Sequence, residues 1–407
     1  MTGWFNLLGQ VGVIASVDYA LATFIGFFIK LYAEGFDLSA RNIFIIYLLV
    51  LITHGLLNTF GVQLVRLLGD ISVWWHVAGV VVIVSVLLIA PDNREGFGII
   101  FDFRNGTGWS FPGSGLCVFA LGLLLAQYTI TGFDASAHVS EETIGARTGP
   151  PKAMVRAVYV SAIAAFIMNL AMTQAIPKGA YDGIAAGFLT AAPQLMVEAV
   201  GGIGAKLLIL ISIIGQFFCG LASVTANSRM IYAFSRDDAL PGSKLWHKIN
   251  PKTRTPTNSV WLGVGLSAVV GSLTLIQNED YPVAFFALTG ICVVGLYIAY
   301  VIPIFLRLRN PDFKPGPWNL GRYSKLVGWT SVAWVAFITV LFFCPLFYPW
   351  DTLNSFNFTG PLIVGAFLLF GLAYVGWAKK WFKGPRVQGS PEELAAIERE
   401  LAALEAL

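Results

Sequence analysis

Ten apolar stretches, each long enough to cross a bilayer, constrain this chain more than anything else in it. They cover residues 4–31, 43–61, 68–90, 115–138, 153–176, 203–233, 258–276, 282–306, 327–348 and 360–381. About 20 mainly apolar residues span the hydrocarbon core as one helix. In lipid every backbone N–H and C=O must find a partner within the chain, so runs of this kind predict helices. Composition agrees: the 407 residues are 56% hydrophobic and 12% charged, with mean hydropathy +0.71. A soluble domain carries about 25% charged residues. The fold class is therefore all-α integral membrane. A transmembrane domain is expected over 1–386 and a tail over 387–407. The tail carries a capping box, Ser390-Pro391-Glu392-Glu393, then an apolar stripe of Leu394, Ile397, Leu401 and Leu404. That pattern predicts a short amphipathic helix.

Charge placement gives an orientation. With Met1 in the cytoplasm and alternating spans, the outer side receives Lys30, Arg41, Arg94, Arg104, Lys178 and Lys206. The other Lys and Arg residues fall inside or near the inner boundary, as the positive-inside rule requires. Both ends of the chain are then expected in the cytoplasm, in a plasma-membrane protein. Met1-Thr2-Gly3-Trp4 lacks a basic n-region and a cleavage site, so no cleaved leader is expected. The outer loop 91–114 is long and aromatic and is expected at the membrane interface. Residues 177–202 are rich in Gly and Ala and are expected to hold a short helix.

Enzyme chemistry has no signature here. There is no zinc-ligand spacing, no phosphate-binding glycine loop and no nucleophile elbow. His54, His76, His138 and His247 are scattered, and Cys117, Cys219, Cys292 and Cys344 lie in apolar runs and are expected as small buried hydrophobes. Neither a cofactor nor nucleic-acid binding is implied.

The chemistry lies in the fourth span. Thr131-Gly132-Phe133-Asp134 interrupts an apolar segment, and an ionisable group at that depth marks a ligand or ion pathway. An unwound point there would offer backbone groups to a charged solute, as broken helices do in secondary transporters. The alternative is a glycine kink with Asp134 satisfied by a neighbour. His138, one turn on, is either a proton relay or a structural hydrogen-bond partner. Glu141 and Glu142 are expected at the inner boundary near Arg147, Lys152 and Arg156. In the first span Asn6 and Gln10 share a helical face. Asp18 follows two turns later on roughly that side, without an obvious basic partner. In the sixth span the hydroxyls of Ser223 and Thr225 could coordinate a cation, or serve as packing glue.

Taken together, these segments resemble a known family. Thr131 to His138 followed by Ser140-Glu141-Glu142-Thr143 is similar to the signature of amino acid/choline permeases. These belong to the amino acid–polyamine–organocation superfamily, in the branch of the 4-aminobutyrate and choline permeases. Three further segments agree: Gly3 to Gln10, Ser228 to Pro241, and Gly290 to Pro303. The resemblance implies two inverted five-helix repeats plus two extra helices. The ten spans would be the family's helices three to twelve, the first two being absent from this sequence. It implies secondary-active transport of an amino acid or related amine across the bilayer, coupled to a proton or a sodium ion. Thr131, Gly132 and Phe133 would form the unwound point of the sixth family helix, with Asp134 as its transport-linked acid. Gln10, or less directly Asn6, would meet the solute from the third, and Ser223 would face an ion site from the eighth. Two other readings stay open: a truncated form that does not transport, and a channel or receptor.

Overall fold

The computed structural model describes residues 1–276, 282–350 and 355–384. The expected tail and its helix over 387–407 lie outside the described residues. Helix α1, Thr2–Lys30, is the axis of the bundle, and α12, α9, α2 and α11 pack around it. The helices follow in order: α2 Ala40–Phe60, α3 Val62–Ile89, α4 Ser114–Thr129, α5 Ala135–His138, α6 Gly149–Gln174, α7 Tyr181–Ala186 and α8 Ala191–Val200. The remainder are α9 Gly202–Arg236, α10 Ser243–Trp246, α11 Thr257–Gly271, α12 Val283–Arg309, α13 Ser324–Phe343 and α14 Thr359–Gly376. No strand occurs among the described residues.

Nine of the described helices are long and apolar enough to cross a membrane. The difference from the ten expected spans is the segment 115–138. Its helix α4 stops at Thr129 after 16 residues, and the chain resumes as the four-residue α5. The Gly- and Ala-rich segment 177–202 folds as α7 and α8, two short helices where one was expected. In the aromatic loop Ile99 packs with Ile176, Ile184 and Leu195, while Phe97 and Phe101 stay exposed.

The burial pattern follows helical periodicity. On α2 the buried Tyr47, Leu51, His54 and Asn58 recur at three- and four-residue spacing, forming one inward face. The outer helices α3, α6 and α14 instead expose large apolar side chains, as lipid-facing helices do.

Helices α1 and α12 touch through small residues. A Cβ on Gly12 would lie 2.9 Å from the Cys292 backbone nitrogen, and one on Gly9 2.7 Å from that of Leu296. Close backbone approach through glycine substitutes for the hydrophobic driving force that lipid removes. Gly12→Val is expected to force the helices apart and cost about 1–3 kcal/mol. Thermal unfolding in detergent checks this; an unchanged midpoint would remove the tight crossing from the account.

Candidate functional site

The break after α4 starts where glycine permits it. Gly132 has φ of +92°, a left-handed conformation that side-chain-bearing residues rarely adopt. Around it the regular helical ladder gives way to tighter i→i−3 turns: Thr131 N–H to Tyr128 O, Ala135 N–H to Gly132 O and Ala137 N–H to Asp134 O. The Thr131 hydroxyl donates back to Gln127 O at 2.8 Å, capping the end of α4.

This segment walls a cavity of about 280 Å³. Gln10, Val13 and Val17 of α1 form one side, spaced three and four apart and so on one face. Cys219, Ala222, Ser223 and Ala226 of α9 form an adjoining side by the same spacing. Thr131, Gly132 and Asp134 close it, with Cys292 of α12. A second, mostly apolar cavity of about 480 Å³ lies along the C-terminal half of α4, among Leu121, Phe188, Phe286 and Phe342. It has no charged residue in its lining. Tyr128 lines both cavities, and its hydroxyl donates to Ser16 Oγ at 3.1 Å.

Asp134 is the chemical centre. Its Oδ2 accepts from His138 Nε2 at 2.9 Å and lies 3.5 Å from Asn6 Nδ2. Its Oδ1 is buried without a hydrogen-bond partner among the described residues. The Tyr300 hydroxyl is also buried without a partner of good geometry, and it lies close enough to interact with this carboxylate. A buried carboxylate oxygen left unpaired is costly, and an ammonium donor would satisfy it.

His138 Nε2 also meets Gln10 Nε2 at 2.9 Å. One ring nitrogen cannot donate to Asp134 and accept from Gln10 at once. When that nitrogen carries a proton, the Gln10 amide has to present its oxygen. When it does not, the Gln10 N–H can donate to it. The orientation of the Gln10 amide, a cavity-lining group, thus depends on the tautomer of His138.

The residues singled out in the sequence are not all brought together. Asn6, Gln10, Thr131, Gly132, Asp134 and Ser223 gather at this site. Phe133 turns away: its ring packs on Tyr300, centroids 5.1 Å apart, and on Tyr297 at 6.3 Å. Thr225 is elsewhere, donating to Asn58 Oδ1 at 2.6 Å and to Leu221 O at 3.0 Å. Two residues on from Ser223, it points to a different side of α9. Ser223 lines the cavity, but its hydroxyl donates to Cys219 O at 2.8 Å. Asp18 is not on the cavity face; it faces α2, where His54 is the partner the sequence did not suggest.

The acidic pair after α5 also differs from expectation. Glu141 takes two hydrogen bonds from Arg236, at 2.8 and 2.9 Å, and Glu142 pairs with Arg229 at 3.1 Å. The bonded partners are therefore on α9, not Arg147, Lys152 or Arg156. The Arg236 hydrogen bonds hold the Glu141 carboxyl below its usual range, outweighing burial. A lowered carboxyl pKa contributes stability above the ordinary value, near about 4.3, and that contribution is lost as pH falls through the folded-state value. Acidification into that range is expected to loosen residues 140–143, and Arg236→Gln to loosen them already at neutral pH. The effect should be a few-fold in amide protection, because Glu141 is 58% exposed and the pair is screened. Hydrogen exchange corrected for intrinsic rates checks it; equal protection in both proteins at neutral pH would exclude the clamp.

Known proteins decide the family. The family model described as amino acid permease matches residues 1–369. This chain belongs to that family. It is 37% identical over 407 residues to the amino-acid permease BAT1 of Arabidopsis thaliana, covering 95% of this chain and 76% of that protein. The BAT1 homolog of Oryza sativa is 36% identical, with 95% and 76% covered. An uncharacterized amino-acid permease of Schizosaccharomyces pombe is 30% identical, with 95% and 71% covered. The chain is thus a multi-pass membrane protein of the amino-acid transporter class. The expected helical bundle of this superfamily and the described helices agree.

Proposed function

We propose that this permease is a secondary-active carrier that binds an amino acid or related amine at the break after α4. The observation that carries the reading is the unpartnered Asp134 Oδ1 beside a cavity inside the bundle. The solute's ammonium pairs with that oxygen. Gln10, Thr131, the Gly132 backbone and Ser223 line the space around it. A 4-aminobutyrate- or choline-type solute, a neutral or basic amino acid and a polyamine all carry the required cation. Those with N–H donors fit an unsatisfied acceptor better than a quaternary ammonium does.

A proton is favoured over sodium as the coupling ion. Asp134 and His138 share a short contact through which a proton can pass. The Lys and Arg distribution supports an orientation with Met1 in the cytoplasm. The test is uptake of a panel of labelled amino acids, 4-aminobutyrate, choline and polyamines by the purified chain in liposomes, with an imposed pH or sodium gradient. Saturable, pH-gradient-driven uptake of at least one amine is the expected result. Flux that rises linearly with concentration for every solute would point to a channel instead.

A further inference from the structure

Two of the four cysteines meet at one end of the bundle. Cys117 lies in the first turn of α4 and is exposed. Cys344 caps the end of α13 and is half-buried. Neither lines the cavity at the break. Both are free thiols, and they lie close enough to interact.

The packing of α4 against α13 brings them together. Trp334 Nε1 of α13 donates to Gln127 Oε1 of α4 at 3.0 Å. From that contact Cys117 lies ten residues back along α4, and Cys344 ten residues on along α13. A helix rises about 1.5 Å per residue, so on an antiparallel pair both thiols sit about 15 Å from the contact, at one level. Beyond the thiols the two segments are tied again. Tyr348 N–H donates to Thr107 O at 2.7 Å, and the Trp109 and Tyr348 rings pack with centroids 5.7 Å apart. Ties on both sides of the thiols hold the antiparallel register. Between the ties Leu124 packs in one cluster with Ile338 and Phe342. Cys117, Leu121 and Leu124 are spaced four and three apart and so share that face of α4. The backbone at the other thiol is also fixed: Asn357 Nδ2 donates to Phe342 O and to Cys344 O, both at 2.7 Å. Cys344 Sγ reaches Val340 O at 3.4 Å, a weak thiol bond that a turn of the side chain releases.

Two thiols held in register can exchange into one disulfide. A small disulfide such as oxidised glutathione is the oxidant. Cys117, the exposed thiol, loses its proton to water and attacks one sulfur of the oxidant; one glutathione leaves and takes up a proton. Cys344 then loses its proton and attacks the Cys117 sulfur, and the second glutathione leaves in the same way. Each cysteine sulfur gives up one electron, and the oxidant is reduced to two thiols. With Met1 in the cytoplasm, α4 starts and α13 ends on the outer side, where disulfides persist. The bond closes a loop over more than half of the chain, and long loops favour a stabilising link.

We propose that Cys117 and Cys344 form a thiol–disulfide pair, a modification site that fastens the start of α4, the helix that leads into the break, to the end of α13. The full chain is purified in detergent under reducing conditions and equilibrated with oxidised glutathione, beside Cys117→Ser and Cys344→Ser. Mass spectrometry of an unreduced, alkylated digest reads the linkage. A Cys117–Cys344 peptide from within one chain is expected in wild type and in neither variant. The thermal midpoint of wild type should rise by about 3–8 °C and return with a reductant, while both variants keep theirs. Glutathione on Cys117 without the linked peptide overturns the proposal, as does the absence of any new bond, or Cys117 joined to the Cys117 of a second chain. A linked peptide with an unchanged midpoint overturns the fastening of the two helices. Neither readout depends on solute movement, so failure of the carrier reading leaves this result standing on its own.

Discussion

Asp134→Asn is expected to abolish measurable solute binding and uptake while leaving the bundle folded. The substitution preserves shape and one acceptor oxygen but removes the charge that an ammonium would meet. Breaking one half of a buried, hydrogen-bonded charge pair costs about 2–5 kcal/mol, roughly thirtyfold to a few thousandfold in affinity. The asparagine can still accept from His138, so the fold around Oδ2 should hold. Uptake and binding measured on protein of wild-type thermal stability check this. Affinity within a few-fold of wild type would show that the solute's charge is met elsewhere.

The largest stability effect is expected at Gly220. An alanine there would place its methyl on Asp18 Oδ1, in a pocket closed on the other side by Phe217. The Asp18–His54 pair can yield only by separating, which leaves a buried charge or an unpaired donor. The cost is expected to be about 3–5 kcal/mol, well beyond ordinary overpacking. Gly122→Ala is the control: nothing lies within 4 Å of a Cβ at that position of α4. There the change should be neutral or slightly stabilising, since alanine is the better helix former. Thermal unfolding of the two variants side by side gives the answer; equal midpoints would remove Gly220 from the account of the buried pair.

Much of the fold was legible in the sequence, because lipid reduces the choices to helices and sets their length. The break was legible for a local reason: Gly132 beside Asp134 inside an apolar run breaks two rules of membrane helices at once. Side-chain direction at the break was not. Helical periodicity ends at Thr129, so nothing in the sequence says that Asp134 turns to the cavity while Phe133 packs on Tyr300. That Thr225 bonds Asn58 and does not line the cavity follows from helix geometry. It sits two residues from Ser223, and on a helix that spacing points to different sides. The partners of Asp18 and Glu141 were invisible for a different reason. His54 lies 36 residues from Asp18, and Arg236 lies 95 residues from Glu141. Only the packing of α2 and α9 brings them together.

Cys219 offers the most direct measurement, because it lines the cavity together with Gln10 and is exposed. Its labelling by a small membrane-permeable maleimide is followed in protein whose Cys344 is replaced by serine, with Cys117, exposed on α4 and outside the cavity lining, as the internal reference. The solute that drives uptake should slow labelling of Cys219 and leave Cys117 unchanged, and Asp134→Asn should cancel that protection. Equal labelling of Cys219 with and without saturating solute would contradict a binding site at the break after α4.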